Sequence, residues 1–171
     1  MNGIRTLVLK RTEVLLFLVL LGTATLAPLT GNQFISGTIV NCALFLAVCS
    51  IGIQAALLIG IIPSVIALAT GLLPPILAPM IPFIILGNII LVVVMDKLRK
   101  MNYWLGAAAG AFLKFGLLNG VSSIVFGLLM NRTLAAHVSY MMSWPQLVTA
   151  LAGSIAAFGI LFAKRKLDYK Q

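Results

Sequence analysis

The sequence predicts an all-α membrane protein: six transmembrane helices in one bundle, with both termini cytoplasmic. Three observations carry that reading. Of 171 residues, 61% are apolar and only 9% are charged, against roughly a quarter charged in a soluble domain. Mean hydropathy is +1.14. From Val14 to Met95 there is not one Asp, Glu, Lys, Arg or His. Such a chain is neither disordered nor a soluble globule, and at ~20 residues per span it holds about five to seven spans in a single domain, 1–171.

The punctuation places the spans. Span one is read over 13–27 and ends at the turn signal Ala27-Pro28-Leu29-Thr30-Gly31-Asn32-Gln33. Span two covers 36–49. A weaker signal, Ser50-Ile51-Gly52-Ile53-Gln54, leads into span three, 54–70, where Pro63 is expected to bend the helix. Gly71-Leu72-Leu73-Pro74-Pro75, with Pro79 and Pro82, separates it from span four, 81–95. Span five is long, 102–130. Span six, 144–163, opens with Pro145 in its first turn, where a missing N–H costs nothing. A cleaved signal peptide is the rival for span one, because Arg5, Lys10 and Arg11 precede it and Thr25-Leu26-Ala27 resembles a cleavage site. Pro28 argues against cleavage.

The formal charge is +9, from twelve Lys/Arg against three Asp/Glu. The basic residues form short clusters beside apolar runs, which points to membrane topology and not to nucleic acid. Arg5/Lys10/Arg11, Lys97/Arg99/Lys100 and Lys164/Arg165/Lys166/Lys170 are separated by even numbers of spans. They therefore share one side, taken as the inside of a prokaryotic plasma membrane. The other side carries Arg132 and His137. Tyr103-Trp104 and Tyr140/Trp144 fall at opposite interfaces, as aromatic belts do.

Catalytic constellations are nearly absent, and an enzyme is not expected. Glu13, Asp96 and Asp168 stand at inner span edges, far from His137, and no phosphate-cradling glycine loop occurs. No His/Cys/Asp cluster has metal-ligand spacing, and no cofactor is implied. Cys42 and Cys49 are seven apart, ~10 Å along a helix, too far for a bridge within it.

Lys114 is the outlier, a lysine near the middle of span five. A charge at that depth costs at least ~2.5 kcal/mol unless it faces a cavity or partner, so it is a candidate counter-charge for an anionic substrate group. Asn41, Asn88 and Asn119 lie ~9, ~12 and ~16 Å below the outer ends of their spans and could line one outward cavity with it. In the outer loops, Asn32, Gln33, His137, Trp144 and Gln146 complete the candidate binding set, as lid or stacking residues. Small-xxx-small spacings at Gly106/Gly110, Gly116/Gly120 and Gly153/Ala157 predict close helix packing within the bundle, or docking onto a partner.

Two stretches carry a family resemblance. Met141-Met142-Ser143-Trp144-Pro145-Gln146-Leu147, opening the last helix, and Leu77-Ala78-Pro79-Met80-Ile81-Pro82-Phe83, before helix four, resemble the corresponding segments of S components, the substrate-binding membrane subunits of energy-coupling-factor (ECF) vitamin transporters. The six-span, basic, motif-poor layout is similar throughout. The resemblance implies a high-affinity binding subunit for a vitamin or related micronutrient, gripped from outside. It also implies docking on a coupling subunit with its ATPases and toppling in the surrounding lipid. That family often docks through Ala-x-x-x-Ala in helix one. Here that helix reads Val14-Leu15-Leu16-Phe17-Leu18, with no small residue until Gly22. The spacing recurs at Ala43 and Ala47 in span two, so Gly22, Ala43 and Ala47 are the docking candidates. Lys114 points to an anion such as a carboxylate-bearing vitamin, and a flavin, pyrimidine or nucleoside fits the sequence as well. The alternatives are a self-contained secondary transporter or channel, which lacks a visible inverted repeat or buried acid here, and a structural subunit of a membrane complex.

Overall fold

In the computed structural model, which describes residues 11–72, 75–129 and 139–168, six α-helices pack in one bundle and no strand occurs among the described residues. They are α1 (Arg11–Leu26), α2 (Gln33–Ser50), α3 (Ile53–Ala69), α4 (Ile81–Leu98), α5 (Tyr103–Leu129) and α6 (Trp144–Asp168). Five of these, with their flanking turns, are long and apolar enough to cross a membrane, and α3 is a shorter apolar helix of 17 residues. Seventeen residues rise ~25 Å, the low end of what spans a ~30 Å hydrocarbon core.

Turn chemistry sets the boundaries. A single 3₁₀ turn (Ala27–Thr30) follows α1 and closes on Gly31, whose φ of 64° places it in the left-handed region. Asn32 then caps α2, its Oδ1 accepting from the N–H groups of Phe34 (2.9 Å) and Ile35 (3.3 Å). This cap starts α2 three residues before the predicted position. Gly52 joins α2 to α3 with φ 137°, ψ 174°, a conformation open in practice to glycine alone. Asn102 caps α5 through Trp104 and Leu105. α4 and α6 outrun their predicted ends, to Leu98 and Asp168. Both carry basic residues in the last turn, Lys97 in α4 and Arg165 and Lys166 in α6, which suit a helix C-terminus. α3 continues through Pro63 to Ala69.

α2 is the central helix, packed against α1, α3, α4 and α6, while α5 lies between α4 and α6 and α1 rides on α2 and α3. Its middle is therefore buried on every side: Leu44, Phe45, Ala47 and Val48 are wholly enclosed. The outer helices bury one stripe and expose the other. On α1 only Leu20 and Ala24 are buried, while Leu15, Leu18 and Val19 face outward. A belt of exposed large apolar side chains continues around the bundle on α3, α5 and α6. Water would not tolerate so much apolar surface, but hydrocarbon requires it. The chain is a multi-pass membrane protein.

With antiparallel neighbours, the described basic clusters collect at one end: Arg11, then Lys97/Arg99/Lys100, then Lys164/Arg165/Lys166. Arg99 pairs with Asp96 at 3.0 Å there. An aromatic group of Tyr103, Trp104, Phe158 and Phe162 decorates the same end, with Lys166 over the Phe162 ring. Tyr140, Trp144 and Phe34 form a matching group at the other end.

The small-residue spacings divide into two kinds. Gly106/Gly110 face α4, and Gly153/Ala157 face α2. A Cβ on Gly153 would sit 2.8 Å from both the Asn41 Cβ and the Cys42 backbone nitrogen. Gly116 and Gly120 have nothing within 4 Å, so among the described residues this pair serves no packing. Gly153→Ala is expected to destabilise the protein by about 1–3 kcal/mol through overpacking. Gly116→Ala should instead be neutral or stabilising by up to about 1 kcal/mol, because alanine favours the helix. Thermal unfolding of both variants in one detergent checks the contrast.

Candidate functional site

α5 buries one narrow stripe: Ala107, Ala111, Lys114 and Leu118, spaced by four, three and four residues, as one helix face requires. Gly106 and Gly110, each one residue before an alanine of the stripe, let α4 come close. The third position carries an ammonium group into the middle of the bundle, where Lys114 is 3% exposed. Its stem lies across Gly87 of α4, where any side chain would crowd it: a Cβ there would meet the Lys114 Cγ at 3.2 Å.

Lys114 Nζ donates to two amide oxygens, Asn41 Oδ1 at 2.7 Å and Asn88 Oδ1 at 2.8 Å. The orientation of both amides follows from their other partners. Asn88 Nδ2 donates to the Gly60 carbonyl at 3.0 Å, and Asn41 Nδ2 to the Gly37 carbonyl at 2.8 Å and Thr149 Oγ1 at 3.4 Å. A carbonyl only accepts, so the nitrogens must face Gly60 and Gly37, and the oxygens must face the lysine. Gly60 stands in the turn where Pro63 withholds the N–H that the Ile59 carbonyl would receive. Its missing side chain admits Asn88, whose Cβ would lie 3.2 Å from an added Cβ. The network joins α2, α4 and α5 directly, α3 through Gly60 and α6 through Thr149.

This cluster floors a cavity of about 320 Å³, at the small end of the ~300–1,000 Å³ typical of ligand sites. Val40, Pro63, Ala67 and Ile84 supply apolar wall, with Ala24 and Pro28 from the α1 side. Asn32, Gln33, Met141 and Gln146 border it nearer the helix ends. Gln33 Nε2 and Gln146 Nε2 both donate to the Met141 carbonyl, the second at 3.3 Å, tying the start of α2 to the start of α6. From Gln33 to Asn41 is eight residues of α2, ~12 Å from mouth to floor. The mouth lies at the end of the bundle away from the basic clusters. No Asp or Glu is among the lining residues, and no group of metal-ligating side chains occurs among the described residues.

Six of the residues singled out from sequence meet here: Lys114, Asn41, Asn88, Asn32, Gln33 and Gln146. Asn119 does not. Five residues past Lys114, at ~100° per residue, it points to another side of α5. There it is exposed, its carbonyl accepting from Ser122 and Ser123. Trp144 is 46% exposed and packs on Phe34 and Tyr140 outside the cavity. His137 lies outside the described residues. Ala43 and Ala47 cannot form a docking surface, because they are 2% and 0% exposed and belong to the core between helices. Gly22 is half-buried on α1 with open space beside it. Sequence reasoning missed Thr149. Its signal was available: it stands four residues before Gly153, the glycine that seats α6 against Asn41.

Asn88→Leu strips one acceptor from the lysine and one donor from Gly60, and should cost about 1.5–3 kcal/mol. Asn119→Leu on the outer surface should be neutral or stabilising. Melting temperatures measured side by side test this ordering.

Comparison of the chain with protein-family models, curated proteins and solved structures finds no match.

Proposed function

We propose that this chain is the substrate-binding S component of an ECF-type importer, taking a vitamin or related small micronutrient from outside the cell. The observation that carries the reading is the cavity itself. It is a mostly apolar chamber with a buried lysine at its floor, opening at the end of the bundle opposite the basic clusters. By the positive-inside rule that end faces outward. Both stretches that resemble S components border it: Leu77 from one, and Met141, Met142 and Gln146 from the other. A binding chamber with few polar groups set at fixed points is how small-molecule sites achieve orientation. The absence of a nucleotide-binding loop in the sequence accords with leaving ATP hydrolysis to a separate coupling module.

Native mass spectrometry of protein purified in mild detergent should show a small molecule of defined mass near stoichiometric occupancy, and Lys114→Ala should lose it. The same solute should raise the melting temperature, since ligand at 100 times its Kd adds about 2.7 kcal/mol of stability. Unchanged affinity in Lys114→Ala would remove the site. Uptake that follows the proton gradient and persists without any ATPase would remove the ECF reading.

A further inference from the structure

We infer that the cavity is built for an organic monocarboxylate, inserted carboxylate-first, with an apolar body no longer than the ~12 Å from floor to mouth. This rests on the reading of the cavity as a solute-binding site and specifies its ligand.

The floor sets the charge. An ammonium group has three N–H donors; two of Lys114's go to Asn41 and Asn88, and no described residue takes the third, which a ligand in the cavity can accept. Asn41 spends both amide N–H groups, on Gly37 and Thr149, and Asn88 spends one of its two on Gly60, so Lys114 is the one charged donor of the floor and brings a single positive charge. Both partners of that charge are neutral amides, and no acid lines the cavity. A carboxylate completes the hydrogen bonding and neutralises the charge together. A neutral carbonyl does only the first. A phosphate monoester brings a second negative charge, for which the lining has no arginine and no second lysine. The surrounding helices are in mid-course at this depth, their N–H groups used in their own ladders. A surplus charge there would be buried and uncompensated.

The walls set the body. Between floor and mouth Val40, Pro63, Ala67 and Ile84 make the wall mostly apolar, broken by the hydroxyls of Ser36 and Ser64, and amide side chains return at Asn32, Gln33 and Gln146. A ligand with hydroxyls all along its body would have only Ser36 and Ser64 to meet them there.

The test is a matched series on one apolar body: 5-phenylpentanoate, its primary amide, 5-phenylpentylamine and 5-phenylpentyl phosphate, with palmitate as the long lipid-derived acid. Binding to the full chain in nanodiscs is read by native mass spectrometry and by melting temperature. The short acid should bind at least tenfold tighter than the amide, amine or phosphate. Asn41→Asp, which places an internal carboxylate against Lys114, should erase that preference while keeping a folded protein. Thr149 can turn to donate to the new acid, and Gly37 keeps its helical position. An amide, amine or phosphate that binds as well as the acid overturns the inference, as does palmitate binding tighter, or a preference that survives in Asn41→Asp. Failure of every probe to bind overturns it too. The binding reading is judged separately, on the co-purified solute: a neutral or doubly charged one would sustain that reading while ending this inference.

Discussion

A lysine ammonium buried among helices, with only amide oxygens for partners, is the constraint on which this structure depends. On insertion scales such a charge costs roughly 2.5–3.5 kcal/mol at the centre of a membrane helix. Hydrogen bonds to a charged group return about 1.5–3 kcal/mol each. Two of them, at 2.7 and 2.8 Å, are enough to hold Lys114 in place. They do not remove its charge. The residue is thus stable in the bundle and still attractive to an anion.

Holding both asparagines at the lysine requires close helix approaches, and the sequence provides them where they are needed. Gly87 leaves room for the lysine stem, Gly60 for Asn88, and Gly153 for the α2 backbone beside Asn41. Close packing and polar satisfaction are one problem here. Asn88 reaches the Gly60 carbonyl where that glycine admits it, and Asn41, bonded to Gly37 in its own helix, reaches Thr149 where Gly37 and Gly153 let α6 close on α2. In a lipid environment, where apolar burial gives little drive for helix association, such packing and interhelical hydrogen bonds carry much of the cohesion.

The two ends of the bundle are chemically different. One end gathers lysines, arginines and the Asp96–Arg99 pair, with α4 and α5 joined by a short turn. At the other, the helices part around a chamber, spanned by Gln33 and Gln146 on the Met141 carbonyl. Both α3, which is short, and α4, which begins only after the 3₁₀ segment Pro75–Met80, contribute to that chamber. The apolar exterior runs the length between the ends.

Much of this was legible in the chain itself. Hydropathy and turn residues determined six helices, because apolar length and Gly/Pro/Asn chemistry are local properties. The spacing of basic clusters determined which helix ends lie together. Lys114 was conspicuous as a charge inside an apolar run, and Asn41 and Asn88 as polar residues at similar depth. Rotation about the helix axes was not legible. The segments are apolar nearly all round, so no periodicity told which way Asn119 or Ala47 would face. Tertiary packing decided both, sending Asn119 outward and sealing Ala43 and Ala47 in the core. Packing also recruited Thr149 and the Gly60 carbonyl, since a hydrogen bond between residues 108 or 28 positions apart exists only once the helices have met.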